Sequence, residues 1–285
     1  MPIRLLALDL DGTLMAADHV TISQRNKNAI RSAAERGIQV VLASGRPLSL
    51  MEPVAADLGC VRYLITANGA VTVDRETGNA LFHHRISAEP ARKILRLFEP
   101  YALPLELYAC GRIYVKKGFW NMEHYQKQPW EFLQMRAAQN IEVASLPDAV
   151  PSEGVEKFNV DGIHPEIKDQ ILARIEPIRD LTHTYIPAYD NLEINHMLAT
   201  KGQALRNLCE GLGIFPAEVM AFGDSSNDVS MLEWAQWSYA MASGSPEALL
   251  AACARTGANT DSGVAQVLER QLHFPIRQQD GKNSL

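Results

Sequence analysis

The sequence lacks several features that would place it in a specialised class of protein. Its 285 residues include only 4 cysteines. Cys60, Cys110, Cys209 and Cys253 form no close pair, so neither a zinc site nor a disulfide framework is indicated. No uncharged apolar run reaches the roughly 18 residues of a membrane span, and no signal peptide is recognisable. We therefore expect a cytoplasmic protein, in a reducing compartment and without a membrane partner.

Positive charge is also scarce. The chain carries 27 lysines and arginines against 33 aspartates and glutamates, which gives a formal net charge of -6. Because binding to nucleic acid depends on clustered lysine and arginine, we expect no nucleic-acid partner, although a local cationic site for a small anion stays open. With 47% hydrophobic and 21% charged residues, the composition is that of a globular protein. The length allows two domains.

Short apolar runs alternate with helix-like segments at both ends of the chain. The N-terminal part predicts strands and helices in the order 3–8, 23–36, 38–43, 48–58 and 61–66. The C-terminal part predicts helices and strands in the order 201–212, 219–222, 228–235 and 238–241. Continuous apolar strands separated by helices are typical of a parallel sheet that is covered on both faces.

The middle of the chain has a different texture, with frequent prolines and shorter elements. Its predicted strands, 105–109, 113–116, 155–160 and 181–185, alternate apolar and polar residues, which indicates a sheet with one solvated face. We therefore predict an α/β protein with a doubly wound, Rossmann-like parallel sheet. Residues 1–80 and 190–285 form this core, and residues 81–189 form an inserted α+β cap domain.

Polar residues follow the predicted core strands at the points where those strands end. Asp9 and Asp11 follow the first strand, Ser44 follows the second, and Asp224 and Asp228 follow a C-terminal one. Ligands of open parallel sheets bind beyond these carboxyl ends. Up to four carboxylates in one cleft repel each other unless a cation lies between them, and oxygen ligands favour Mg2+.

The same residue types suit phosphoryl chemistry. The Ser44 hydroxyl can hold a phosphate oxygen, and Lys201, at another predicted helix start, adds positive charge. One aspartate can attack phosphorus to form an aspartyl-phosphate. The other, two residues away, can protonate the leaving alcohol and later deprotonate water. We expect Arg46 to be structural or to support the site residues without touching the substrate.

Four motifs carry a family resemblance. They are DLDGT at Asp9–Thr13, SGR at Ser44–Arg46, KG at Lys201–Gly202 and GDSSND at Gly223–Asp228. Their order, with a long insertion before the third motif, resembles the haloacid dehalogenase superfamily, and in particular its Cof-type phosphatases with an inserted α+β (type C2) cap. Asn68–Ala70, which reads NGA, is similar too.

The resemblance implies a role for each matching residue. Asp9 would be the nucleophile and Asp11 the general acid and base. The implied metal ligands for Mg2+ are Asp9, Asp11 through its backbone carbonyl, Asp224 and Asp228. The implied substrate-binding and phosphate-binding residues are Gly12, Thr13, Ser44, Gly45, Lys201 and Asn227.

The predicted function is therefore Mg2+-dependent hydrolysis of small phosphomonoesters, which makes the chain a phosphoric monoester hydrolase. Its partner would be a small phosphorylated metabolite, such as a sugar phosphate or a phosphorylated cofactor. Two alternatives stay open at this point: a phosphomutase of the same superfamily, which needs the same aspartates, and a non-catalytic protein that binds a phosphorylated metabolite. The sequence indicates neither the physiological ester nor the oligomeric state.

Overall fold

The computed structural model describes residues 2–119, 130–178, 182–185 and 190–272. Its strands are β1 (Leu5–Leu8), β2 (Gln39–Ala43), β3 (Val61–Thr66), β4 (Val71–Asp74), β5 (Asn79–His83), β6 (Leu105–Ala109), β7 (Arg112–Lys116), β8 (Asn140–Val143), β9 (Lys157–Val160), β10 (Thr182–Tyr185), β11 (Leu192–His196), β12 (Val219–Gly223), β13 (Trp237–Met241) and β14 (Ala254–Thr256). Its α-helices are α1 (Gln24–Glu35), α2 (Leu48–Leu58), α3 (Ala88–Phe98), α4 (Trp130–Gln139), α5 (Pro165–Ile175), α6 (Lys201–Leu212), α7 (Val229–Trp234), α8 (Pro246–Ala251) and α9 (Gly263–Gln271). Within the described ranges, none of the helices combines the length and the apolar character that crossing a membrane requires.

The first sheet has eight strands in the order β14-β13-β12-β1-β2-β3-β4-β5. From β1 the chain winds outward through β2 and β3, and later through β12, β13 and β14 on the other side, with all these neighbours parallel. The winding therefore reverses between β1 and β12. In such sheets the ligand crevice lies at the carboxyl ends of the strands beside the reversal.

Two antiparallel strands extend this sheet beyond the predicted parallel part. After β3 the chain turns through Ala67 and Asn68, whose φ angles of 47° and 61° lie in the left-handed region. This tight reversal makes β4 pair antiparallel with β3, and β5 then pairs antiparallel with β4. A crossover helix, which a parallel neighbour would need, is absent from this connection.

Helices cover both faces of the first sheet, because successive side chains of its central strands point in opposite directions. Leu6 and Leu8 of β1 belong to a core cluster with side chains of α1, α2 and α9. Leu5 and Ala7 belong to a second cluster with side chains of α6, α7 and α8. Full burial of each leucine contributes about 2 kcal/mol, so the two clusters hold β1 in place from both sides.

The second sheet has six strands in the order β10-β11-β9-β6-β7-β8. Its neighbours are antiparallel except for β7 and β8, and side chains of α3 and α5 cover one face. The sequence predicted that the other face would be solvated, but the structure shows otherwise. Tyr108, Asn159 and Glu193 point from it into a cleft against the first sheet, so its polar residues meet a site rather than bulk water.

Both predicted limits of the inserted segment differ from the strand pairing. The limit at residue 80 falls inside β5, which pairs with β4 in the first sheet. The core was predicted to resume at residue 190, but β11 pairs with β9 and β10 in the second sheet. Apolar alternation shows that a strand exists but not which sheet accepts it as a neighbour. Residue 181, the first of predicted strand 181–185, lies outside the described residues, and the division into domains stays a prediction.

Two glycines of α6 provide a test of how closely this helix packs on α7. A Cβ on Gly202 would lie 2.2 Å from the backbone oxygen of Ser230, whereas a Cβ on the exposed Gly211 would have only the ring of Phe82 at 4.0 Å. Gly202→Ala should lower the free energy of unfolding by about 2 kcal/mol. Gly211→Ala should raise it by about 0.5 kcal/mol through helix propensity. Urea unfolding measures both, and equal effects would contradict the packing.

Candidate active site

Asp9 lies at the carboxyl end of β1 and is only 4% exposed. Its Oδ1 accepts a hydrogen bond of 2.7 Å from Nζ of Lys201. Its Oδ2 has no hydrogen-bond partner among the described residues, although it is buried. Burial raises the pKa of Asp9 well above its usual value, and the negative charge of Asp228 adds to the rise. The second oxygen of Asp9 is therefore left open for a further cation or an electrophile.

Lys201 is buried between two carboxylates. Its ammonium donates to Oδ1 of Asp9 and to Oδ1 of Asp228, each at 2.7 Å. Burial by itself would lower the pKa of Lys201, but the charges of Asp228 and Asp9 outweigh it and raise the pKa above its usual value. Lys201 begins α6, after the cap residue Thr200, whose hydroxyl accepts from the amide of Gln203. The helix start therefore delivers a permanent positive charge beneath the cleft.

Asp228 organises the loop that follows β12. Its Oδ2 accepts hydrogen bonds from the amides of Asp224 at 2.9 Å and Ser225 at 3.0 Å. A Cβ on Gly223 would lie 2.5 Å from the Cβ of Asp228, so only glycine permits this approach. Both oxygens of Asp228 accept hydrogen bonds, so this residue supports the loop.

Asp224 comes close to the turn that carries Asp9 and Asp11. Its Oδ1 accepts from the hydroxyl of Thr13 at 3.2 Å. A Cβ on Gly12, whose φ is +82°, would lie 2.3 Å from Oδ2 of Asp224. Gly12 is therefore required twice, by its backbone conformation and by this contact. Burial and the neighbouring Asp228 raise the pKa of Asp224 to about 7.

Asp9, Asp224 and Asp228 form a cluster of carboxylates that could hold a metal ion. One oxygen from each lies within 4.8 Å of the others. The unpartnered Oδ2 of Asp9 and the raised pKa values fit a cluster whose charge is completed by a cation. An all-oxygen donor set fits a hard ion such as Mg2+.

The Asp11 side chain turns away from this cluster towards Arg46. Nε and Nη2 of Arg46 donate to its two oxygens at 2.7 Å and 2.6 Å, and Nδ1 of His19 lies 2.9 Å from Oδ1. Burial would raise the pKa of Asp11, but the Arg46 guanidinium and the His19 contact outweigh it and hold the pKa well below its usual value. The Asp11 carboxylate is thus engaged by Arg46 and His19 and is not part of the cluster of Asp9, Asp224 and Asp228.

The cleft has a volume of about 500 Å3 and lies between the two sheets. The core contributes Asp9, Asp11, Gly12, Ser44, Gly45, Asp224 and Asn227 to its lining. Thr13, Lys201 and Asp228 are fully buried behind these residues. The structure thus brings together all ten site residues predicted from the sequence, whose individual roles stay predictions.

The opposite wall comes from the second sheet and from α4. It includes Phe132, Arg136, Lys157, Asn159 and Glu193. Phe132 of α4 reaches across to the wall formed by the core, with its ring 5.3 Å from that of His19 and 5.7 Å from the Arg46 guanidinium. This wall combines charged, amide and aromatic side chains.

Comparison with known proteins places this arrangement in a family. The haloacid dehalogenase-like hydrolases match the chain over residues 6–268. The chain belongs to this family. Phosphatase YwpJ of Bacillus subtilis (strain 168) is 31% identical over 292 residues, which cover 94% of this chain and 100% of that protein. HMP-PP phosphatase of Serratia proteamaculans (strain 568) is 30% identical over 290 residues, which cover 95% and 96% of the two chains.

A solved structure agrees with the fold. A haloacid dehalogenase-like hydrolase from B. subtilis superposes with a TM-score of 0.83 at 28% identity, and the match covers 94% of this chain and 99% of that one. These comparisons confirm the predicted family, the predicted fold class and the predicted enzyme class, a phosphatase.

Several residues of this phosphatase site were missed by the sequence analysis. Arg46 was expected to be structural or to support the site without touching substrate, but its partner was not predicted: it holds Asp11 through two hydrogen bonds. His19 received no role, and its left-handed φ of 57° could not be read from the sequence. Lys157 and Glu193 are on separate strands of the second sheet. A basic residue directly after the Ser44–Gly45 turn was the one local signal available for Arg46.

The contact between Asp11 and Arg46 predicts a pH dependence of stability. At pH 7, Asp11→Asn should lower the free energy of unfolding by about 1 kcal/mol, because Arg46 then lacks its charged partner. Since the pKa of Asp11 is lower in the folded chain, the carboxylate stabilises the fold fully above its unfolded pKa of about 4. This contribution is lost as the pH falls towards the folded pKa. Urea titrations should show the difference between the two proteins narrowing below about pH 4, and a constant difference would contradict the interpretation.

Proposed function

We propose that the protein hydrolyses small phosphate monoesters, such as sugar phosphates or phosphorylated cofactors, through Asp9 and with Mg2+ in the cleft. The observation that carries the proposal is the hydrogen bonding of the two Asp9 oxygens. One of its oxygens is fixed by Lys201, and the other is buried without a partner among the described residues. This oxygen lies in a cleft beside carboxylates of a metal-type cluster. Such an oxygen suits nucleophilic attack on phosphorus.

The proposed reaction has two steps. An oxygen of Asp9 attacks phosphorus, the bond from phosphorus to the leaving oxygen breaks, and that oxygen takes a proton from Asp11. Water then attacks the aspartyl-phosphate, Asp11 takes a proton from that water, and the bond from phosphorus to Asp9 breaks. Inorganic phosphate leaves, and Asp11 is protonated again for the next cycle.

Arg46 keeps Asp11 in the ionised form that the second step requires. While Arg46 holds it, Asp11 is ionised, which is the form that takes a proton from water, but the same pairing makes it a weak base. To donate a proton in the first step, its pKa must rise. The negative charge of a bound phosphate ester opposes Arg46 and shifts the pKa in that direction.

The remaining residues would bind and orient the phosphoryl group. Asp9, Asp224 and the backbone carbonyl of Asp11 would hold Mg2+, with Asp228 behind them. The ion would supply neutralisation of the carboxylate and phosphoryl charges. Ser44, at the end of β2, and Lys201 would fix phosphoryl oxygens. We propose that the second sheet and α4 act as a cap that excludes water around the leaving group.

The nucleophile can be tested by substitution. Asp9→Asn should lower Mg2+-dependent phosphate release about a thousandfold or more, because the amide cannot form the phosphoenzyme. Asp57→Asn is a matched control, since Asp57 is an exposed aspartate that pairs with Lys27 on the surface. It should keep wild-type activity. A panel of phosphate esters also distinguishes a phosphatase from a phosphomutase. A phosphatase releases free phosphate, whereas a phosphomutase forms an isomeric sugar phosphate. Wild-type release by Asp9→Asn would disprove the mechanism.

Metal binding has a readout that does not depend on turnover. At a hundredfold excess over its dissociation constant, Mg2+ should stabilise the wild-type fold by about 2.7 kcal/mol. In a thermal melt this is a rise of about 5 °C. Asp224→Asn should abolish the rise and Asp57→Asn should keep it, with NaCl at equal ionic strength as the reference. An equal rise in both variants would contradict a site at Asp224.

A further inference from the structure

Asn68 is a fully buried asparagine whose side chain the proposed reaction does not use. It follows β3 in the turn that begins the NGA segment, with a φ of 61° and a ψ of 23°. An asparagine tolerates this left-handed conformation better than most residues, but glycine would do so too. The conformation alone therefore does not explain why an amide side chain is present here.

The side chain of Asn68 connects the second sheet to the loop after β12. Its Nδ2 donates to Oε2 of Glu193 at 2.7 Å and to Oδ1 of Asn195 at 3.0 Å, and both partners are on β11. Its Oδ1 accepts from Nδ2 of Asn227 at 3.0 Å. Asn227 is part of the GDSSND motif and lines the cleft. One amide thus contacts both walls of the site.

The chemistry of the partners decides which way the Asn68 amide faces. Glu193 is paired with the ammonium of Lys157, so its carboxylate can only accept a hydrogen bond. Asn195 also presents an acceptor, because its own Nδ2 donates to the backbone oxygens of Ala67 and Glu156 at 2.8 Å and 3.0 Å. Both neighbours on β11 therefore require the nitrogen of Asn68, which leaves its oxygen to face Asn227.

This orientation in turn determines the orientation of Asn227. An oxygen at Asn68 requires a donor, so Asn227 must present its nitrogen rather than its oxygen. The Oδ1 of Asn227 is then left buried without a partner among the described residues, and its nitrogen keeps a second hydrogen. Without Asn68, no hydrogen bond among the described residues would hold Nδ2 of Asn227 in this orientation.

The loop after β2 packs against the same group of residues. A Cβ on Gly45 would lie 2.9 Å from Oδ1 of Asn68 and 3.3 Å from Nζ of Lys157. The ion pair of the second sheet, the Asn68 amide and the proposed phosphate loop are therefore in direct contact. A displacement of β11 would therefore move the groups that contact Asn227 and Gly45.

We propose that Asn68 is a positioning residue. It holds the Asn227 amide in one orientation and so couples the position of the second sheet to the geometry of the active site. The chain of contacts runs from Lys157 through Glu193 and Asn68 to Asn227. Its effect on turnover rests on the proposed phosphatase function, whereas the orientation of the amide does not.

The kinetic test uses Asn68→Gly, which keeps the left-handed backbone and removes only the amide. With p-nitrophenyl phosphate and Mg2+, kcat should fall about tenfold, the loss of about 1.4 kcal/mol that one buried hydrogen bond supports. Asn227→Ala should lower kcat at least as much. The double variant Asn68→Gly with Asn227→Ala should be no slower than Asn227→Ala, within about twofold, because Asn68 acts through Asn227. Losses that multiply would overturn the proposal.

A second pair of variants tests the direction of the hydrogen bonds. Asn68→Asp keeps an acceptor oxygen for Asn227 but places a carboxylate against Glu193 and Oδ1 of Asn195, so it should displace β11 and lower kcat. Adding Glu193→Gln returns a donor to this contact and removes the repulsion between the two carboxylates. The combined variant should be at least about fivefold faster than Asn68→Asp, with the gap to wild type left by the lost bond to Asn195. No recovery would overturn the direct coupling.

A stability control separates positioning from general weakening. Asn26 is also a fully buried asparagine, and it accepts from the amide of Ala265 at 3.0 Å between α1 and α9, outside the cleft. Asn26→Ala should lower the free energy of unfolding about as much as Asn68→Gly while leaving kcat unchanged. If Asn26→Ala lowers kcat equally, the effect of Asn68 is structural and the proposal fails.

The orientation itself can be measured without catalysis. In NMR spectra of the 15N-labelled full chain, the side-chain amide signals of Asn227 can be identified by their loss in Asn227→Ala. Their chemical shifts should differ from those of a solvent-exposed asparagine amide, and they should be protected from hydrogen exchange. Asn68→Gly should remove both properties, and unchanged signals would overturn the proposal. An inactive wild-type protein with these signals would instead reject the phosphatase function and leave the positioning of Asn227 supported.

Discussion

The site depends on one electrostatic constraint: carboxylates must stay together where little water can reach them. Lys201 meets this constraint by lying between Asp9 and Asp228 with a hydrogen bond of 2.7 Å to each. Burying like charges without such a partner costs several kcal/mol. The fold therefore places β1 beside β12 and directs the first residue of α6 beneath both. The Cβ-free Gly202 lets that helix approach α7 closely enough.

The cleft has two chemically different walls because two sheets meet there. The first sheet and the turns after its strands contribute carboxylates and a serine, with Lys201 of α6 buried behind them, and this set suits a phosphoryl group and a hard cation. The second sheet contributes amides and an ion pair, and α4 contributes the aromatic ring of Phe132. Asn68 connects the two walls through hydrogen bonds whose direction is set by Glu193 and Asn195. The position of the second sheet and the geometry of the catalytic loop are thus coupled.

Local patterns predicted much of the core. Helices 48–58 and 201–212 and strand 61–66 coincide with the observed elements, because apolar periodicity and glycines such as Gly59, with a φ of 72°, act within a few residues. The antiparallel β4 and β5, and the membership of β11 in the second sheet, were not predicted. Strand pairing depends on which edge is free in the assembled fold, and composition does not encode that.

The sequence by itself determined the chemical inventory and the rigid short-range geometry of the site. Asp9 and Asp11 are two residues apart on one turn, and Ser44 and Asp224 each follow a strand whose end the pattern predicts. Only the tertiary structure decided the partners. Lys201 meets Asp9 across 192 positions of chain, Arg46 takes the Asp11 carboxylate, and Asn68 meets Asn227. These contacts follow from the order of strands in the sheet and the docking of the second sheet, which brings distant residues within hydrogen-bond reach.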